Sequence, residues 1–226
     1  MESHGADRHP FSGKNTMNRE AAIAHWTKRL VHKMPPSAAP LIARWIVDLK
    51  VHFVISKPRK TKLGDFMAAH NGKPPRISVN SDLNPYNFLI TSIHEFAHLG
   101  CYLKHANKVN PHGNEWKKIY TDMLKPFVSK SIFPEELIPV LVYHVSNPLA
   151  SSCTCPKLSR ALALYDNNPG TFLSDISAKV IFTFHEVEYL KLEKRRTRYI
   201  CKRMSDGKKF LISGRALVET PELKLT

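Results

Sequence analysis

Residues 92–116 read SIHEFAHLGCYLKHANKVNPHGNEW, and this stretch decides how the rest of the chain is read. It opens with His94-Glu95-Phe96-Ala97-His98. On a helix, residues i and i+4 lie one above the other about 6 Å apart, so the two imidazoles can converge on one metal ion. Glu95 is turned about 100° away, which makes it a poor third ligand but lets it reach a water beside the metal. With 12 His and 11 Glu in 226 residues, chance yields about 0.03 such matches per chain, so the flanking sequence has to support the motif.

It does so on both sides. Asn84-Pro85 is a cap followed by proline at the first helical position, and it predicts a helix over 85–105. Leu89, Ile93, Phe96, Ala97 and Gly100 form an apolar stripe that anchors this helix, with the histidines at the edge of the stripe. The bland alternative is a pair of histidines hydrogen-bonded in the core. A zinc site needs a third protein ligand, and two residues are candidates. His105 is seven positions beyond His98, roughly 10 Å further along the helix axis. His112 follows the turn-rich stretch 106–111 and precedes Gly113, so a chain reversal can return it over His94 and His98. His112 is favoured over His105. The metzincin spacing requires glycine at position 101 and histidine at position 104, where this chain has Cys101 and Lys104, and that frame is rejected. Cys101 has no activating partner and reads as a small buried side chain.

Outward from the motif, helical spacing appears at Ile23, Trp26 and Leu30, and again over Leu41, Ile42, Trp45, Ile46 and Leu49. VHFVIS (51–56), LGDFMAA (63–69) and PRISVN (75–80) read as three strands, the last two separated by the turn Asn71-Gly72. A helix is expected from Asn114 with Trp116, Tyr120 and Met123 on one face, and another over 135–145. SNPLASSCTCP (146–156) is loop-like and marks a domain boundary. After it come a short helix near 157–166 and strands at 180–184, 197–204 and 208–214, with Asp206-Gly207 as a hairpin turn. The expected organisation is a polar tail (1–17), a metal-binding domain (18–145) and a β-rich basic module (146–226).

The chain is 42% apolar and 23% charged, the balance of a globular protein, and lacks the long apolar run of a membrane helix. Its polar N-terminus has no apolar signal segment, so an intracellular location is expected, in cytoplasm or nucleoid. Net charge is +15, which favours anionic partners, nucleic acid above all. Residues 191–209 alone carry nine basic and two acidic side chains. Candidate nucleic-acid contacts are Lys57, Arg59 and Lys60 in one loop, and Arg195, Arg196, Arg198 and Lys202 near a strand, where alternation groups Arg196, Arg198 and Lys202 on one face. No base-reading motif is present, so such binding should be independent of sequence and sensitive to salt. The plainer reading of these charges is a solvated face.

The pattern H-E-x-x-H followed at a distance by H-G-x-x-[FW], carried by His94, Glu95, His98, His112, Gly113 and Trp116, resembles the SprT family of zinc metalloproteases with its Spartan branch. The likeness extends over about residues 18–125 and includes PRISVNSDL before the helix. A group of bacterial metal-dependent hydrolases shares much of it. The resemblance implies an α+β, zincin-like core of helices on a small three-stranded sheet, one catalytic zinc ion on three histidines, Glu95 as catalytic base, and proteolysis of DNA-associated proteins. The family's zinc ribbon has no counterpart. Cys153, Cys155 and Cys201, even with His185, lack the paired knuckle spacing, and a second structural zinc is not expected. Two other functions compete: a nucleic-acid-binding module with a structural or vestigial zinc, and a metal-dependent hydrolase acting on something other than protein.

Overall fold

The computed structural model describes residues 18–59, 61–106, 108–129, 131–146, 155–167 and 170–220. The expected tail, Lys60 and Cys153 lie outside the described residues. The fold is α+β and divides into two compact units, one ending at Asp166 and the other beginning at Asn167.

The first unit opens with α1 (Arg19–Leu30), capped by the Asn18 side chain on Glu20 N, and α2 (Ala39–Asp48). Ile23, Trp26 and Leu30 of α1, and Ile42 and Ile46 of α2, are buried at the spacing read from the sequence, while Leu41, Trp45 and Leu49 are half-buried against the same core. The sheet consists of β1 (His52–Ser56), β2 (Gly64–Met67) and β3 (Arg76–Asn80) in the order β1-β3-β2. β1 runs parallel to the central β3, β2 antiparallel, and β2 is an edge strand. α3 (Pro85–His105) packs against β2 and β3, its first turn closed by Asn84 Oδ1 accepting from Asn87 N at 2.9 Å. α4 (Asn114–Leu124) packs against α3 and presents Trp116, Tyr120 and Leu124 to the core.

Two further helices, α5 (Ile138–Ser146) and α6 (Pro156–Ala163), complete this unit. The sequence reading closed the first domain at 145, whereas the compact unit continues to Asp166. The reason is burial: Cys155, Leu158 and Leu162 belong to the same core as α3. Asn84 also ties the segment down, its Nδ2 donating to Leu162 O at 2.9 Å and Asp166 Oδ1 at 2.6 Å.

The second unit is β-rich. A four-stranded antiparallel sheet has the order β5 (Ile181–Phe184), β6 (Val187–Arg195), β7 (Arg198–Arg203), β8 (Lys209–Ser213), and β4 (Thr171–Phe172) pairs with β9 (Leu217–Val218). Its small core holds Leu173, Phe182, Tyr189, Cys201, Ile212 and Val218. β6 is an inner strand that the sequence reading did not assign. Lys191 occupies a core-facing slot beside Cys201 and breaks the alternation. It is buried because its Nζ donates to Ile176 O at 2.5 Å and lies 4.0 Å from the Tyr199 ring centroid.

Candidate metal centre

α3 puts His94 and His98 one turn apart on the face toward α4, and their Nε2 atoms are 3.1 Å from each other. The chain leaves α3 at Ala106 and returns through Pro111 to α4. His112 sits at the end of this return in the left-handed region (φ 61°), a conformation that costs roughly 1 kcal/mol or more for a residue with a Cβ. Its Nε2 comes to 3.3 Å from that of His94. Gly113 follows where a Cβ would lie 3.0 Å from the Asn110 carbonyl oxygen, so a side chain there would crowd the turn. Among the described residues, His94, His98 and His112 form the one group of three or more His, Cys, Asp or Glu able to share an ion, and His105 is not in it.

Trp116 supports all three imidazoles. Its ring centroid is 4.7 Å from that of His94, 5.2 Å from His98 and 4.7 Å from His112. Beneath it Tyr120 stacks at 4.9 Å, and the Tyr120 hydroxyl is hydrogen-bonded to His144 Nε2 at 3.0 Å. On the opposite side, Phe66 of β2 lies parallel to His98. Gly64, Asp65 and Phe66 join Glu95 and the three histidines in lining an open cavity of 300 Å³. The sequence reading did not single out these three β2 residues. The signal lies in the fold: a Cβ on Gly64 would stand 2.5 Å from Glu95 Oε1, so the strand passes this close only because residue 64 is glycine.

Electrostatics suit a cation. Burial, and then the charges of His98 and His112, hold His94 down to about 3, and burial followed by His112 holds His98 down to about 4. His112 is lowered by burial alone. All three are therefore neutral near pH 7, the state in which imidazole donates a lone pair. Burial pushes the Glu95 carboxyl up to about 8, Asp65 adds to this, and Arg59 and Lys62 oppose it.

The donor set fits a metal. A tetrahedral zinc with Zn–N near 2.0 Å separates its ligand atoms by about 3.3 Å, close to the two spacings seen. Without an ion, His94 Nε2 can serve only one of its two imidazole neighbours, as donor or as acceptor. One feature departs from common metal sites: His94 Nδ1 is buried with no hydrogen-bond partner among the described residues, where a ligating histidine usually donates to an acceptor.

The basic residues fall into different settings. Lys57 is exposed, but Arg59 turns inward, its Nε donating to Asn80 Oδ1 at 2.8 Å and its Nη1 to Ser78 Oγ at 3.1 Å. Hydrogen bonding across the sheet has claimed it, and it does not present a free guanidinium to a phosphate. In the second unit Arg198 and Lys202 share the outer face of β7, with Ile200 between them and Cys201 buried on the other side. Arg195 stands directly opposite Arg198, and Lys209 opposite Lys202. Arg196 is outside the strands, in the β6–β7 turn with φ 53°, and not in line with Arg198 and Lys202 as alternation suggested. Cys155 and Cys201 are buried free thiols in separate units.

No helix among the described residues is long and apolar enough to cross a membrane. Comparison with protein families, with curated proteins and with solved structures finds no match for this chain.

Proposed function

We propose that the protein is a zinc-dependent peptidase of SprT-like, zincin-like type, with His94, His98 and His112 holding one zinc ion and Glu95 acting as general base. The observation that carries this reading is the convergence of three neutral imidazoles at 3.1 and 3.3 Å beside a buried carboxylate, in a cavity bounded by an edge strand. Three protein ligands leave one coordination position open, the mark of a catalytic rather than a structural zinc site. A zinc ion there supplies Lewis acidity, which makes water a competent nucleophile at neutral pH and polarises a carbonyl. Beside the positive charge of a bound metal the Glu95 carboxyl, which without it keeps its proton to about pH 8, ionises, and as carboxylate Glu95 takes the proton from the attacking water and delivers it to the departing amine. β2 ends its sheet, and an edge strand favours a peptide over a smaller substrate, because an extended chain can add to it by main-chain hydrogen bonds.

DNA-associated proteins are the proposed substrates. The support is charge: the net +15, and the two like-charged pairs Arg195–Arg198 and Lys202–Lys209 on one sheet face. Like charges placed directly opposite are destabilising, and a polyanion relieves that repulsion.

Purified protein is incubated with casein and with DNA-bound protein, with and without DNA and chelator. Zinc-dependent cleavage is expected, and Glu95→Gln should keep its zinc while losing activity by about 100-fold or more. DNA binding without cleavage under every condition would support the competing binding module, and undiminished cleavage by Glu95→Gln would refute the proposed mechanism.

A further inference from the structure

Val79 is paired directly with Gly64, so the two share a face, and that face meets Glu95 on α3. Ser78 and Asn80 therefore point to the opposite face of the sheet, where the chain between β1 and β2 crosses. Asn80 is 1% exposed and all the hydrogen-bonding capacity of its amide is used there. Its Oδ1 accepts from Arg59 Nε at 2.8 Å and from Ser56 Oγ at 3.3 Å. Its Nδ2 donates to Arg59 O at 3.1 Å and to Lys62 O at 3.0 Å, and its backbone N–H donates to Leu63 O at 2.9 Å. Arg59 in turn reaches Ser78 Oγ, while its Nη2 is buried with no partner among the described residues. Although Arg59 as a whole is only half-buried, a buried guanidinium nitrogen left without a partner carries a desolvation cost.

We infer that Asn80 and Arg59 are positioning residues of the candidate active site: they fasten the β1–β2 connection to β3 and so set where the Gly64 backbone meets the Glu95 carboxylate. The inference rests on Glu95 acting as general base. The last residue held by the Asn80 side chain is Lys62, two positions before Gly64, with Leu63 between them held by the Asn80 backbone N–H; at Gly64 a Cβ would approach Glu95 Oε1 to 2.5 Å and Thr91 Cγ2 to 2.8 Å. With no slack at that contact, a shift of the strand moves the carboxylate, and a displacement of about 1 Å at a reacting group costs up to about 100-fold in rate. The binding of the ion by α3 and the turn before α4 does not depend on the clasp.

The test uses the full chain loaded with zinc. For Asn80→Ala, kcat on a labelled casein peptide should fall about tenfold or more, with KM and zinc affinity within about twofold of wild type. Backbone amides of residues 64–66 should exchange faster with solvent. Ser56→Ala removes one peripheral hydrogen bond and should behave as wild type. If Asn80→Ala does not fold, Arg59→Lys, which keeps the charge but not the forked donor geometry, should lower kcat while KM holds. Wild-type kcat in Asn80→Ala and Arg59→Lys, or a fall in kcat matched by an equal loss of zinc affinity, overturns the assignment. Should the wild-type chain cleave nothing, the peptidase reading fails by itself. The positioning role then falls with it, and exchange reads only the fastening of the strand: faster exchange at 64–66 upholds the fastening, and unchanged exchange overturns it.

Discussion

At the scale of single residues, the site is a balance between burial and charge. In the metal-free chain Glu95 keeps its proton to about pH 8, whereas an unfolded glutamate loses it near 4.5. Its contribution to stability therefore falls as pH rises through that window. His94, His98 and His144, held down to about 3, 4 and 4, act in the opposite sense: below 6.5 the unfolded chain binds protons that the folded chain refuses, so stability rises with pH. Below pH 6.5 these histidines outweigh one glutamate, and above about pH 7 Glu95 dominates. With chelator present, the contribution of this cluster should peak near pH 7 and decline by less than about 1 kcal/mol by pH 8. Urea midpoints across that range check this, and Glu95→Gln should remove the decline. A wild-type decline that survives Glu95→Gln would place its origin elsewhere.

At the scale of elements, what could be read in advance followed local periodicity. The spacing of His94 and His98 needs nothing beyond a helix, and Asn84-Pro85 marks where that helix begins. His112 was legible because Pro111 and Gly113 bracket a turn. Gly64 was not, since its part depends on a strand passing α3 some thirty residues away in sequence, and a glycine in a short strand looks like any other. Arg59 was read as a surface charge because sequence cannot say that Asn80 and Ser78 wait beneath it. β6 escaped notice because Lys191 stands where alternation asks for an apolar residue, and only the Ile176 carbonyl and the Tyr199 ring explain its burial. The outer face of β7 belongs to this scale too. Replacing Arg198 and Lys202 together by Glu should weaken binding to random-sequence DNA by about tenfold or more. The slope of log affinity against log salt should also become shallower, by about one for each phosphate that is no longer neutralised. An unchanged salt slope would remove this face from any account of DNA binding.

At the scale of the whole molecule, the two units carry separate cores, and all four proposed active-site residues lie in the first. The second unit rests on a small set of buried side chains. Phe182→Ala, at a position 1% exposed, should cost about 3–5 kcal/mol and unfold that unit selectively. Limited proteolysis should then cut within 170–220 while zinc binding persists. Loss of zinc in that variant would show that the site depends on both units. The zinc content of the purified, dialysed protein tests the centre itself most directly. One zinc per chain is expected for wild type and for Glu95→Gln, and essentially none for His112→Ala. A wild-type chain without zinc, or a His112→Ala chain that retains it, would contradict the three-histidine centre on which the proposed function stands.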